Sequence, residues 1–329
     1  MKILFLFLPF LVSGCESISY YSRAVGGHLS LMAAARPVTD LLADPQTPPA
    51  LRQRLERAQR MREFAVRELA LPDNQSYRSY ADLGRSFAVW NVVAAPELGV
   101  GALPQCFPFA GCVGYRGFFS EERAQRHAAR LAAEGNDVFV GGVPAYSTLG
   151  WFDDPLLSTF IHDPEWQLAR LLFHELAHQR FYAKNDSSFN ESFAVVVEEE
   201  GVRRWLAAEG RAGEMEAFRA SQARRREFAA RVQQMRERLA EIYRKNISRE
   251  EKLAQKRVEF DQLRADYPRA VPVQLNNAFL ASVAMYTQRV PEFERLLAES
   301  GSLEKFYERV RMLAASERSS PDPSSTPRP

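Results

Sequence analysis

Along most of the chain apolar residues return at the three-and-four spacing of a helix face, and in a shorter middle section they condense into β-branched and aromatic runs. Residues 17–42 interleave small and apolar side chains and predict a first helix. Residues 49–71 are charged and amphipathic and predict a second, ending near Pro72-Asp73-Asn74. Residues 86–93, 113–119 and 137–140, each bounded by Gly or Pro, predict strands of a small mixed sheet. Between the last two a helix is expected over residues 120–134, with Ser120 as N-cap, Glu121 and Glu122 at its positive start and Gly135 as its stop. From Asp163 onward the pattern is almost wholly helical. Asp163-Pro164-Glu165 supplies a cap, a first-turn proline and an acidic first turn for a helix that runs to Tyr182.

In the last third, Phe228, Val232, Met235, Leu239 and Ile242 form a heptad-like stripe, and Asn246 ends it. A returning helix with Leu253, Phe260 and Leu263 completes a helical hairpin over residues 211–266. The stripe covers only about two heptads, which suits a packed arm better than an oligomerising coiled coil. Arg224-Arg225-Arg226 is expected on the solvated surface of that arm. Residues 316–329 are too polar and proline-rich to bury a core and are expected to be disordered. The fold class expected is α+β, mainly α, with residues 15–315 as a single domain.

With 46% hydrophobic residues in 329, the chain can fill a substantial core. Its 43 basic and 41 acidic residues nearly cancel, so no global field points to a nucleic-acid partner. The start, MKILFLFLPFLVSGC, changes the picture. Its apolar run from Ile3 to Val12 is ten residues, too short to span a bilayer, and reads as a cleaved export signal over residues 1–14. Leu11-Val12-Ser13-Gly14-Cys15 resembles the bacterial lipobox, which implies a lipid on Cys15. Glu16 after it resembles the pattern sorted to the outer membrane, with the body of the protein on the periplasmic side. In such an oxidising compartment Cys106 and Cys112 either close a short loop as a disulfide or remain two thiols.

The chemistry concentrates in HELAHQRFYAKNDSSFNE, His174 to Glu191. Histidines four apart project from one helix face, so His174 and His178 can offer two imidazoles to one ion. Glu175 is offset by one position, which places it beside an ion as a general base. A catalytic zinc needs a third protein ligand and an open position. Residues 184–188 can break the helix and let a second one return antiparallel from about Ser188. Phe189, Phe193, Ala194 and Val197 would give that helix a buried face and Glu191 a place opposite the histidines. Glu198, two turns further on, could hold a histidine or a substrate amine.

The histidine pair followed by Asn190-Glu191-Ser192-Phe193-Ala194 is similar to the gluzincin zinc peptidases, whose third ligand is that glutamate. Twelve residues lie between His178 and Glu191, fewer than in the best-known branches. More closely, the lipobox, CFPFAGCVGYRGFFS, VGGVPAYSTLGWFDDPLLSTF and HELAHQRFYAKNDSSFNESFA together resemble a bacterial lipoprotein family of zinc-dependent aminopeptidases. The resemblance implies a zincin-like core, one Zn2+ ion, a peptide substrate and hydrolysis at a free amino terminus. It also makes residues 141–150, with Tyr146 and Ser147 as candidate substrate contacts, either a substrate-binding edge strand or an ordinary loop. Asp153 or Asp154 could meet the substrate amine or serve the turn. Tyr286 could donate to the oxyanion or belong to the core, and Asn276 and Asn277 stand alike. Two other readings share these residues: a zinc endopeptidase or amidase of the envelope, and a lipid-anchored interaction protein without catalysis.

Overall fold

The computed structural model describes residues 9–107, 111–145 and 147–319; Tyr146 and the first eight residues lie outside them. The chain begins with α1 (Pro9–Ala33), β1 (Arg36–Pro37), α2 (Val38–Ala43) and α3 (Pro49–Leu69). Then come β2 (Ser79–Ala81), β3 (Val89–Pro96), β4 (Gln105–Phe107), β5 (Gly111–Val113), β6 (Arg116–Phe118), α4 (Glu121–Ala133), β7 (Asn136–Val143) and β8 (Leu156–Leu157). The remainder is helical: α5 (Glu165–Arg180), α6 (Ser187–Ala208), α7 (Ala212–Arg244), α8 (Arg249–Asp266), α9 (Asn277–Thr287), α10 (Val290–Ser300) and α11 (Leu303–Ser319). The fold is α+β and mainly α.

The three anticipated strands make one antiparallel sheet in the order β6-β3-β7, with Val92 opposite Val140 and Trp90 opposite Phe118. One face carries α4, through Ala124, Ala128 and Leu131 against Val92 and Ala94. The other carries α9, through Ala278, Ala281 and Met285 against Val93 and Ala95. This alternation is the period of two expected of a strand covered on both sides. A second, mixed sheet, β1-β2-β8, consists of very short strands, and β4-β5 is a separate hairpin.

Some local expectations are corrected. The first helix does not run to Leu42, because Pro37 cannot donate the backbone hydrogen bond that would continue it; the chain extends at residues 36–37 and restarts as α2. Pro164, not Asp163, holds the N-cap position of α5, and neither Pro164 nor Ser120 makes a side-chain cap bond. The terminal helix continues past Ser316 to Ser319, with Glu317 paired to Arg289 at 2.5 Å; the remaining tail lies outside the described residues.

The main core joins α3, α5, α6, α10 and α11. Phe189 meets Phe293 edge-on at 4.9 Å, and Phe193 stacks near Phe306 at 5.9 Å. Gly201 lets α6 approach closely: a Cβ there would lie 2.7 Å from Phe173 and 2.8 Å from Leu69. The stripe of α7 is buried as expected, Val232, Met235, Leu239 and Ile242 against Phe260 and Leu263 of α8 and against Leu275, Phe279 and Leu280 beside the sheet. The hairpin is thus a packed arm, tied to the body through α9. Among the described residues no helix is long and apolar enough to cross a membrane.

Candidate metal centre

On α5 the apolar face of Leu168, Leu172, Phe173 and Leu176 is fully buried, which turns the next positions, His174, Glu175 and His178, toward α6 and the sheet edge. The connection to α6 is fixed by its own polar residues. Asn185 sits at a positive φ of 70°, and Asp186 caps α6 by accepting from the Phe189 amide at 2.8 Å. Buried Asn190 clamps Ala183 at both ends: its Oδ1 accepts from the Ala183 amide and its Nδ2 donates to the Ala183 carbonyl, each at 2.7 Å. With the turn held this way, the next residue, Glu191, faces the histidines.

The ligand atoms of His174, His178 and Glu191 lie within 4.8 Å of one another, and all three residues are buried. His178 Nε2 is 3.1 Å from His174 Nε2, and Glu191 Oε2 is 3.2 Å from His174 Nε2 and 3.7 Å from His178 Nε2. Glu198 Oε2 lies 2.8 Å from His174 Nδ1. When the imidazole is neutral, that contact keeps its proton on Nδ1 and leaves the Nε2 lone pair facing inward. Two imidazole nitrogens and a carboxylate oxygen directed at one point are a donor set for a cation.

The electrostatics agree. Burial would raise the Glu191 carboxyl, but His178 and His174 outweigh it and hold it down to about 2. Burial would lower His174, yet Glu191 and Glu198 raise it to about 10. Carboxylates on both sides of the imidazole thus draw positive charge into the site. Glu175 is pushed up from its ordinary value, first by burial, against the pull of His174 and His178.

Two cavities meet at this point. The larger, about 640 Å³, is walled by α5, α6, α7 and the start of α10; the smaller, about 310 Å³, lies under α1 and the β4-β5 hairpin. Val143, Ala145, His174, Glu175 and Tyr286 line both. Val143 ends β7, which is an edge strand of its sheet, so of the expected segment only Gly141 to Val143 is strand at the site, and Ser147 lies in the loop beyond it. Tyr286 stacks toward His174 with ring centres 6.3 Å apart, and the Glu191 charge and burial keep its hydroxyl protonated well above the usual range. The Cys106–Cys112 disulfide closes the hairpin over the smaller cavity. That hairpin is pinned to the α5–α6 turn, the Cys112 amide donating to Asn185 Oδ1 at 2.8 Å and the Gly114 amide to Ser187 Oγ at 3.2 Å. A side chain at Gly111 would collide with Asn185 Oδ1 at 2.1 Å.

The other sequence candidates divide. Ser147 lines the smaller cavity, whereas Tyr146 falls outside the described residues. Asp153 is exposed and lines neither cavity. Asp154 is fully buried and accepts from the Thr148 amide at 2.9 Å and Ser147 Oγ at 3.5 Å, so it braces the Ser147 turn from behind. Glu198 holds His174 and also pairs with Arg225 at 3.2 Å and Arg170 at 3.5 Å. Asn276 and Asn277 are not at the site: Asn276 caps α9 and bonds Val138, and Asn277 bonds Pro96 and Glu97. The arginine run is not simply solvated surface either, since Arg225 and Arg226 line the larger cavity and pair with Glu198, Glu199 and Glu294. Tyr115 and Tyr182, on the wall of the smaller cavity, were not anticipated; only the aromatic character of their segments pointed to them.

A His-Glu-x-x-His helix met by a carboxylate from the following helix defines a class of proteins with a helix-borne triad that could hold a metal ion and an adjacent acid. The family model described as "Putative aminopeptidase" matches residues 19–322, nearly the whole chain, and the chain belongs to that family. The comparisons with curated proteins and with solved structures found no match.

Proposed function

We propose that the protein is a zinc metallopeptidase acting as an aminopeptidase, a zincin-like hydrolase of the gluzincin kind. The observation that carries this reading is the buried convergence of His174, His178 and Glu191 with Glu175 beside them on the wall of both cavities. Family membership supports peptide hydrolysis. His174, His178 and Glu191 would hold one Zn2+ ion, which supplies Lewis acidity for attack on a carbonyl. Glu198 keeps His174 in the tautomer that offers Nε2. Glu175 takes the proton of the attacking water and delivers it to the leaving amine. Tyr286, held protonated, donates its hydroxyl hydrogen to the carbonyl oxygen as charge develops there. The edge of β7 and the Ser147 turn bind the peptide backbone.

One observation favours a second reading, an endopeptidase or amidase: cavities flank the site on both sides, so a chain can extend in both directions. Matched peptides with free and acetylated amino termini separate the two. The aminopeptidase reading expects cleavage of the first bond only, at least tenfold slower after acetylation, and none with Glu175→Gln. Equal rates with internal cuts would establish the endopeptidase, and no cleavage by the metal-loaded protein would favour the interaction protein.

Export and lipidation at Cys15 belong to the same proposal and rest on the lipobox-like sequence. They place the domain on the periplasmic side of the envelope, anchored to the outer membrane, with peptide rather than nucleic acid as its partner. Cys15→Ala should move the protein from the membrane to the soluble fraction. Retention in the membrane, with no acyl chain on the wild type, would overturn the anchor.

A further inference from the structure

The larger cavity at the metal centre has a wall whose charges cancel. Apart from His174 and Glu175, its charged lining residues are three arginines and three glutamates. Every one of them is paired. Arg225 meets Glu198 at 3.2 Å and Glu199 at 3.4 Å, Arg226 meets Glu199 at 2.7 Å and also Glu294, and Arg170 meets Glu198 at 3.5 Å. A charged side chain entering this space would shed its water without gaining a free opposite charge from these pairs, and that loss disfavours it. Glu175, the carboxylate outside the pairs, serves the attacking water.

Much of the remaining wall is apolar. Leu171 of α5, Val195 of α6 and Val290 and Pro291 of α10 line it. From α7 it receives only the methyl groups of Ala229 and Ala230 one turn beyond Arg225 and Arg226, and neither alanine is fully buried. Small residues there leave the space open. Its volume, about 640 Å³, is that of a ligand pocket, for which about 300–1,000 Å³ is usual.

His174, Glu175 and Tyr286 line both cavities, so a bond held at the metal centre lies where the two meet. The Ser147 turn, a proposed contact for the peptide backbone, lines only the smaller one. The chain beyond the scissile bond therefore runs toward the smaller cavity, and the residue that bears the free amine enters the larger. We propose that the larger cavity is a specificity pocket for a large, uncharged apolar side chain on the first residue of the peptide, with Ala229 leaving the room it occupies. This inference rests on the aminopeptidase reading and adds to it the class of substrate.

Two readouts on the zinc-loaded full chain test it. Calorimetry measures binding of the hydroxamates of phenylalanine, leucine, alanine, glutamate and lysine, and mass spectrometry follows cleavage of tripeptides that carry the same five residues ahead of Ala-Ala. Phenylalanine and leucine should bind and react roughly tenfold or more better than alanine, glutamate or lysine. Ala229→Trp fills the space and should bring phenylalanine and leucine down to the level of alanine, with zinc content unchanged. Glu294→Gln is an independent variant that leaves the wall with an arginine in excess, and it should raise glutamate relative to leucine severalfold. Graded binding without any cleavage would overturn the peptidase reading and keep the pocket. Cleavage without this grading, or an order of preference unchanged in the folded variants, overturns the pocket, and absence of both binding and cleavage overturns both.

Discussion

Asp154 shows how one side chain can support a site without touching its centre. Its Oδ2 holds the Ser147 turn, while Oδ1 is buried with no hydrogen-bond partner among the described residues. Burial lifts its carboxyl to about 7 against the bonds from Thr148 and Ser147, and the Glu175 charge adds to the rise. An acid whose folded value stands above its unfolded 3.8 stabilises the fold fully below 3.8, and that contribution disappears as the pH climbs through 7. The change is on the order of 4 kcal/mol across the interval. Asp154→Asn keeps an acceptor for the Thr148 amide and removes the titration. Urea unfolding at pH 5 and pH 8 should therefore give a wild type much weaker at the higher pH and a variant with a markedly smaller difference. Equal pH dependence in the two proteins would mean that Asp154 stays ionised in the fold. From sequence it was one of two acids in a turn; its burial depends on Tyr77, whose amide donates to the Asp154 carbonyl at 2.6 Å across a long loop.

Elements were legible where their signal is local. The helix spacing of His174 and His178, the breaker residues at 184–188 and the apolar face of α6 are all periodic features, and they foretold an antiparallel helix pair with Glu191 opposite the histidines. The short strands β1, β2 and β8 were not legible, since two or three residues carry no period and exist only through their pairing. Nor was the duty of Asn190, which looked like half of an Asn-Glu motif and proves to be the clamp on the turn. Removing its side chain leaves the buried amide of Ala183 without its partner and its carbonyl with only the long 3.5 Å bond from the Asp186 amide, at roughly 1–3 kcal/mol for the orphaned amide. Asn190→Ala should accordingly lose about 1–3 kcal/mol in urea unfolding and bind metal more weakly in a competition titration. A variant with unchanged stability would show that core packing alone sets the register of α6.

Taken as a whole, the molecule surrounds the α5–α6 pair with parts distant in sequence. The sheet edge ending at Val143, the disulfide-closed hairpin, α1 and the arginines of α7 all reach the two cavities. Such convergence has no signature along the chain, which is why Arg225 looked like surface although it pairs with Glu198 behind His174. What sequence could supply was the donor set itself, and every other inference about activity depends on that set holding an ion. The direct measurement is metal analysis with zinc-edge X-ray absorption on the purified wild type, His174→Ala and Glu175→Gln. The account predicts one zinc per chain with two imidazole ligands and a carboxylate in the wild type and in Glu175→Gln, and its loss in His174→Ala. Full zinc occupancy in His174→Ala, or a wild type whose zinc lacks imidazole ligands, would contradict it.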